Sequence, residues 1–140
     1  KAGQTRAGVH TDYGAFTVIR GDDAPGLQAR ALDGTWIDVP AVPGSFVVNI
    51  GDLLMRWTND RWISTPHRVV TLTDASYSPR RQSVAFFCNP GPHAVIECLP
   101  PFVPEGGQAK YPPIRYQAYA EAKFREQVND PTVELPINTA

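Results

Sequence analysis

The side chains able to do chemistry fall at a few spaced positions. His10-Thr11-Asp12 is a His-x-Asp step. On an extended backbone residues i and i+2 point to the same face, so the imidazole and the carboxylate can converge on one ion. Taken alone, the step equally suits a polar turn at a strand end. His67 opens an apolar strand in Thr65-Pro66-His67-Arg68-Val69-Val70, 55 residues after Asp12. That separation leaves room for several intervening strands, so two ligands from one strand end can meet a third from an opposite sheet. Two imidazoles and one carboxylate on one face of an octahedron are the ligand set of non-haem Fe(II) centres, with three positions left open. Fourteen residues beyond His67, Arg81-Gln82-Ser83 precedes the apolar run Val84–Cys88. Arg81 and Ser83 share a face, and a forked guanidinium beside a hydroxyl suits the grip of a carboxylate. An arginine at the head of an apolar strand also reads as a solvated strand end.

These residues need a scaffold of strands. Apolar runs of four to six residues recur between Gly, Pro, Asp and Asn, the pattern of an all-β sandwich or barrel. Strands are predicted at Ala15–Arg20, Leu27–Leu32, Thr35–Val39, Phe46–Ile50, Thr65–Thr71, Gln82–Cys88 and Ala94–Leu99, with one more ending near Val9–Thr11. Asp33-Gly34 tolerates positive φ at both residues and predicts a hairpin between Leu27–Leu32 and Thr35–Val39. A helical period runs from Ile114 to Val128, with Tyr116, Ala120 and Phe124 on one face and Tyr119, Lys123 and Gln127 beside them, after Pro112-Pro113. This helix is expected to pack outside the sheets. A short helical turn is expected at Asp52–Trp57, with Asp52 capping it, a Pro-rich extended loop at Pro100–Pro113, and a tail over 130–140.

Composition narrows the classes of function. Of 140 residues, 13 are Lys or Arg and 14 are Asp or Glu, so the formal charge is −1 and gives no electrostatic reason for a nucleic-acid or membrane partner. A small-molecule substrate is the expectation. With 42% hydrophobic and 19% charged residues the chain is apolar enough to bury a core. Its 14 prolines are about twice the ~5% background and favour strands with rigid turns over a helical bundle. No apolar run approaches the ~18 residues of a membrane helix. Cys88 and Cys98 match no disulfide framework or zinc spacing and are read as reduced thiols of a cytoplasmic protein.

In order along the chain come His10-Thr11-Asp12-Tyr13-Gly14, Pro25-Gly26-Leu27-Gln28, Gly34-Thr35-Trp36-Ile37-Asp38-Val39-Pro40, Pro43-Gly44-Ser45-Phe46-Val47-Val48-Asn49-Ile50-Gly51-Asp52, Ser64-Thr65-Pro66-His67-Arg68-Val69 and Arg81-Gln82-Ser83. This succession resembles the C-terminal catalytic portion of the isopenicillin N synthase-like family of 2-oxoglutarate- and Fe(II)-dependent oxygenases. The landmarks cover about residues 10 to 90, and Lys110-Tyr111-Pro112-Pro113 with its following helix is similar too. The resemblance implies a double-stranded β-helix (jelly roll) core over 1–100, followed by the Pro-rich loop, helix and tail over 101–140. It implies that His10, Asp12 and His67 bind Fe(II) and that Arg81 and Ser83 hold the distal carboxylate of 2-oxoglutarate. It further implies O2 as oxidant, with oxidative decarboxylation of 2-oxoglutarate coupled to oxidation of a C–H bond in a small molecule. Asn49 and the Gly51-Asp52 corner are expected to keep the fold, and one of Phe86 and Phe87 to face the pocket.

The chain departs from the family pattern at Arg20-Gly21-Asp22-Asp23-Ala24, where a Gln-Asp pair is common, and it has only nine residues before the His-x-Asp step. A missing N-terminal part of the same enzyme is therefore the expected partner. Two other readings of the same residues are a related Fe(II) oxidase that takes no 2-oxoglutarate and a non-catalytic jelly-roll fragment. A zinc hydrolase would need a general base near the metal, and no motif supplies one. His93 is expected in an exposed turn, Trp36, Trp57 and Trp62 in sheet packing, and Arg61, Arg68 and Arg80 on a solvated face. The acidic loop Gly21–Gly26 has neither the length nor the alternation of a calcium loop.

Overall fold

A computed structural model of the chain describes residues 5–71 and 80–127. Short Gly- and Pro-bounded apolar runs form nine strands among these residues, and all their pairings are antiparallel. They are β1 (Thr5–His10), β2 (Phe16–Gly21), β3 (Leu27–Arg30), β4 (Trp36–Asp38), β5 (Val47–Ile50), β6 (His67–Val70), β7 (Ser83–Cys88), β8 (Val95–Ile96) and β9 (Ile114–Arg115). One sheet has the order β1-β6-β3-β4, a second β5-β2-β7, and β8 pairs with β9. This alternation of chain between two sheets is the jelly roll that the motifs implied.

The hairpin β3–β4 forms with Gln28 opposite Asp38 and Arg30 opposite Trp36. Its turn relies on Gly34 at φ 88°, while the Asp33 carboxylate accepts from the Thr35 amide at 2.9 Å. Positive φ costs glycine nothing, and the Asx contact closes the turn. On the outer side of the same sheet Arg68 is partly buried rather than solvated. Its guanidinium lies 4.1 Å from the Trp36 ring centroid, and its Nε donates to Gln28 Oε1 at 2.8 Å.

Helix α1 (Asp52–Trp57) follows β5 directly, but Gly51 occupies the N-cap position and no side chain caps it. Asp52 is instead the first helical residue, and it is recruited elsewhere. Its buried carboxylate accepts from Tyr119 Oη at 2.8 Å and pairs with Lys123 Nζ at 3.2 Å, both on helix α2 (Tyr116–Gln127). A carboxylate near the first turn also complements the helix dipole. Helix α2 starts two residues later than its period predicted, because Ile114–Arg115 is extended and pairs with Val95–Ile96. Of the residues on its period, Tyr119 and Tyr116 face inward and Phe124 does not. Tyr119 is buried with Leu53 and Ile96, flanked by Tyr116 and Trp57, whereas Phe124 is 60% exposed. The hydroxyl of Tyr119, drawn to Asp52, sets the rotation of the helix.

Burial, then the Asp52 charge and hydrogen bond, push the Tyr119 phenol well above its ordinary pKa, so it remains a donor at neutral pH. Tyr119→Phe removes one of the two partners of a buried carboxylate and should cost about 1–3 kcal/mol of stability in a chemical denaturation measurement. A change below a few tenths would contradict this docking role.

The segment 100–113 contains a 3-10 turn at Pro100–Phe102 and is otherwise irregular. It is tied down by Asn59, whose side chain donates to the Phe102 carbonyl and accepts from the Lys110 amide, and by Asp60, which accepts from Lys110 Nζ and Tyr111 Oη. Burial and the Asp60 hydrogen bond push the Tyr111 phenol up to about 12. Arg56 is buried beneath the rings of Tyr111 and Tyr119, at 4.5 and 5.3 Å from their centroids. His93 lies exposed in a turn, as expected. Trp57 packs against the core, Trp62 meets Phe102 edge-on, and both cysteines are partly buried free thiols. The tail predicted over 130–140 lies outside the described residues, and no described helix is long and apolar enough to cross a membrane.

Candidate metal centre

Strand β1 ends at His10, and its antiparallel neighbour β6 begins at His67, with the two histidines directly opposite in register. Their rings lie 4.3 Å apart by centroid. The two imidazoles therefore come from neighbouring strands of one sheet, not from opposite sheets as the spacing suggested. The carboxylate makes the crossing. After His10 the chain leaves the strand, and Asp12 turns toward the second sheet. There its Oδ2 accepts from Thr17 Oγ1 on β2 at 2.5 Å and from Asn49 Nδ2 on β5 at 2.8 Å.

A corner holds this turn in place. The Asp52 amide donates to the Asp12 carbonyl at 2.8 Å, the Leu53 amide to the Gly14 carbonyl at 3.0 Å, and the Gly51 amide to the Ala15 carbonyl at 2.8 Å. Gly51 is required for this approach, because a Cβ there would overlap the Gly14 carbonyl oxygen. The expected fold-keeping role of the Gly51-Asp52 corner is thus a backbone clamp beneath Asp12.

His10, Asp12 and His67 each present a donor atom, and the three atoms lie within 4.8 Å of one another. Asp12 Oδ1 is 3.8 Å from His10 Nε2 and 3.7 Å from His67 Nε2. His10 Nδ1 lies 2.8 Å from the Gly8 carbonyl, and His67 Nδ1 3.1 Å from the Thr65 carbonyl. A carbonyl only accepts, so each Nδ1 carries the proton and each Nε2 keeps its lone pair toward the shared space. Asp12 and His67 are buried and His10 is half-buried. Two imidazole nitrogens and a carboxylate oxygen, none of them turned away, fit a divalent first-row metal with open positions.

The inner face of the β5-β2-β7 sheet leads away from this cluster in rows. Pairing aligns Thr17 with Asn49 and Phe87, Ile19 with Val47 and Ala85, and Gly21 with Ser83. Phe87, not Phe86, faces the triad, and it lines a cavity of about 350 Å³ with His10, Asp12, Tyr13, Asn89, Tyr116 and Gln127. At the far end Arg81 Nη1 donates to Ser83 Oγ at 3.0 Å, so the pair shares one face as its spacing predicted. The Arg81 Nε is buried without a hydrogen-bond partner. An orphaned guanidinium nitrogen calls for an acceptor, and a carboxylate placed there would supply it. Four residues of strand, about 13 Å at ~3.3 Å each, separate the Thr17 row from the Gly21 row.

Asp22 keeps its own charge beside Arg81. The Gln82 amide holds its carboxyl below the ordinary range, and the Arg81 charge adds to this. Thr17 escaped sequence reasoning because a threonine in a β-branched strand looks like any strand former. Tyr13 stands in the His10–Gly14 landmark and Tyr116 and Gln127 on the helical period, but none of these signals, nor any at Asn89, points to the cavity around which the fold gathers them.

Comparison with known proteins agrees with this geometry. A profile of the 2OG-Fe(II) oxygenase superfamily matches residues 2–90. The chain is 40% identical over 120 residues to the 2-oxoglutarate-Fe(II) type oxidoreductase hxnY of Emericella nidulans, covering 85% of this chain and 33% of that protein. It is also 40% identical over 124 residues to gibberellin 2-beta-dioxygenase 2 of Oryza sativa subsp. japonica, covering 84% and 31%. A full-length Neurospora crassa protein, solved in complex with alpha-KG, superposes with a TM-score of 0.83 at 39% identity, over 91% of this chain and 39% of that one. The chain thus spans about a third of the length of these curated relatives. The match over residues 2–90, which take in all three residues of the cluster and the Arg81-Ser83 pair, assigns the chain to the 2OG-Fe(II) oxygenase superfamily.

Proposed function

We propose that the chain carries the catalytic centre of a cytoplasmic, non-haem Fe(II) dioxygenase that couples oxidative decarboxylation of 2-oxoglutarate to oxidation of a C–H bond in a small molecule. The observation that carries this reading is the convergence of His10 Nε2, Asp12 Oδ1 and His67 Nε2 on one space, on a chain of this superfamily. Its two free thiols suit a reducing compartment.

His10, Asp12 and His67 are the iron ligands in this reading. When bound, Fe(II) supplies the redox chemistry with O2 and the chelation of the 2-oxo acid end. The protein's own residues do the rest. Gly8 and Thr65 carbonyls fix both imidazoles in the tautomer that leaves Nε2 free. Arg81, with Ser83 beside it, orients 2-oxoglutarate by its distal carboxylate, which also satisfies the orphaned Nε. Phe87, Tyr13 and Tyr116 present ring surface to the cavity, against which a substrate can pack.

The outer face of the β5-β2-β7 sheet bears Val48, Val84 and Phe86, exposed by 62, 67 and 66%. N-terminal sequence of the same enzyme is the partner proposed for this face, since curated relatives extend well beyond the matched third. An isolated apolar face of this kind otherwise favours self-association.

Anaerobic addition of Fe(II) and 2-oxoglutarate should produce a visible charge-transfer absorption band. Turnover should release succinate in proportion to product. Absence of the band would sink the reading, and turnover without succinate would replace it by an Fe(II) oxidase that takes no 2-oxoglutarate.

A further inference from the structure

Asp12 has two oxygens, and the fold treats them differently. Oδ2 accepts two hydrogen bonds, from Thr17 Oγ1 at 2.5 Å and from Asn49 Nδ2 at 2.8 Å. Oδ1 faces the two imidazoles at 3.7 and 3.8 Å. Among the described residues no hydrogen bond is made to it. Thr17 is 1% exposed and Asp12 5%, so water does not compete for the Thr17 contact, while the Asn49 contact is part-buried. Both donors stand on the inner face of the second sheet, directly paired across β2 and β5. They are held there by the sheet ladder, independently of the strand pair that carries the histidines.

We propose that Thr17 and Asn49 are positioning residues that occupy Oδ2 of Asp12 and so confine metal binding to Oδ1. The inference rests on the assignment of His10, Asp12 and His67 as metal ligands. A carboxylate free to rotate can bind a divalent ion through one oxygen or both. Chelation through both would take a coordination position that a bidentate co-substrate and O2 need. With two donors on Oδ2, rotation to present both oxygens breaks a buried hydrogen bond to Thr17 and a part-buried one to Asn49, and the buried Thr17 hydroxyl is left unsatisfied. Thr17 and Asn49 therefore keep the third open position open. Their contact with Asp12 also sets the direction of Oδ1, which is how partners of a ligand raise metal affinity in general.

The test uses Co(II) as a spectroscopic stand-in for Fe(II), titrated into the protein under argon without co-substrate. Thr17→Val keeps the shape of the side chain and removes the hydroxyl. It should weaken Co(II) binding about 10-fold, within the 10–100-fold range for such partners, and alter the ligand-field absorption bands as carboxylate coordination changes. Thr17→Ser retains the hydroxyl and should restore both affinity and spectrum. Asn49→Leu should shift the same bands in the same direction. Circular dichroism identifies any variant that fails to fold, and Thr17→Ser against wild type then carries the comparison, with a wild-type spectrum expected. If Thr17→Val and Asn49→Leu bind Co(II) with wild-type affinity and spectrum, the confinement of Asp12 is overturned while the metal site stands. Should Thr17→Ser fold and give an altered spectrum, the hydroxyl is not the operative group and the proposal falls. If wild type itself takes up no Co(II) or Fe(II), the metal assignment fails and takes this inference with it.

Discussion

Replacing His67 by alanine is expected to abolish Fe(II) uptake and every activity that depends on it. His67 is buried, opposite His10 in the β1–β6 ladder, and its Nδ1 is engaged by the Thr65 carbonyl, so its Nε2 has one direction to face. Without it the site offers one imidazole and one carboxylate oxygen. Loss of a hydrogen-bond partner to a ligand typically costs 10–100-fold in affinity, and loss of the ligand itself should exceed about 100-fold. Anaerobic titration with Fe(II) checks this, with circular dichroism to confirm the fold. Retained affinity within a few-fold of wild type would remove His67 from the centre.

Arg81→Leu should act on the other end of the site. The 2-oxoglutarate concentration needed for half-saturation is expected to rise about 100-fold while Fe(II) affinity changes by less than a factor of two. Truncating one side of a desolvated charge pair costs roughly 2–5 kcal/mol, and half-burial of Arg81 places it toward the lower end. Arg81 precedes β7 and does not line the cavity that Phe87 shares with His10 and Asp12, so its removal leaves the triad's surroundings intact. Equal losses of iron and 2-oxoglutarate binding would contradict the division of roles. Together with His67→Ala, the two variants separate metal binding from co-substrate binding in one pair of titrations.

How much of this was legible in the sequence depends on the range of the interaction. The strands follow from apolar runs between turn residues, a local signal, and each predicted run overlaps an observed strand. The β3–β4 hairpin was readable because its turn chemistry sits in two adjacent residues. Sheet order was not readable, since β1 pairs with β6 across more than fifty intervening residues. That is why the spacing suggested opposite sheets for the histidines when they are cross-strand neighbours. At α2 the period offered both Phe124 and the neighbouring Tyr119, and the buried carboxylate 67 residues away that accepts from the Tyr119 hydroxyl decides which of them faces inward. Asp52 looked like a helix cap for the same reason it became a tertiary partner: a short acidic side chain at a helix start has several buried donors within reach. Residues with motif spacing could be singled out in advance, and the fold brings His10, Asp12 and His67 together. Thr17 could not be, because its role exists only once Asp12 has crossed between sheets.

Asp52 joins two parts of the protein through different atoms. Its amide holds the Asp12 carbonyl, and its carboxylate holds Tyr119 and Lys123 of α2. Ordering of the Asp12 turn and docking of the C-terminal helix are therefore thermodynamically linked. A ligand that binds only the ordered turn adds about 2.7 kcal/mol to the folded state at a concentration 100 times its dissociation constant. Part of that energy reaches α2 through Asp52. Exposure of the helix to a protease then reports the occupancy of the metal centre.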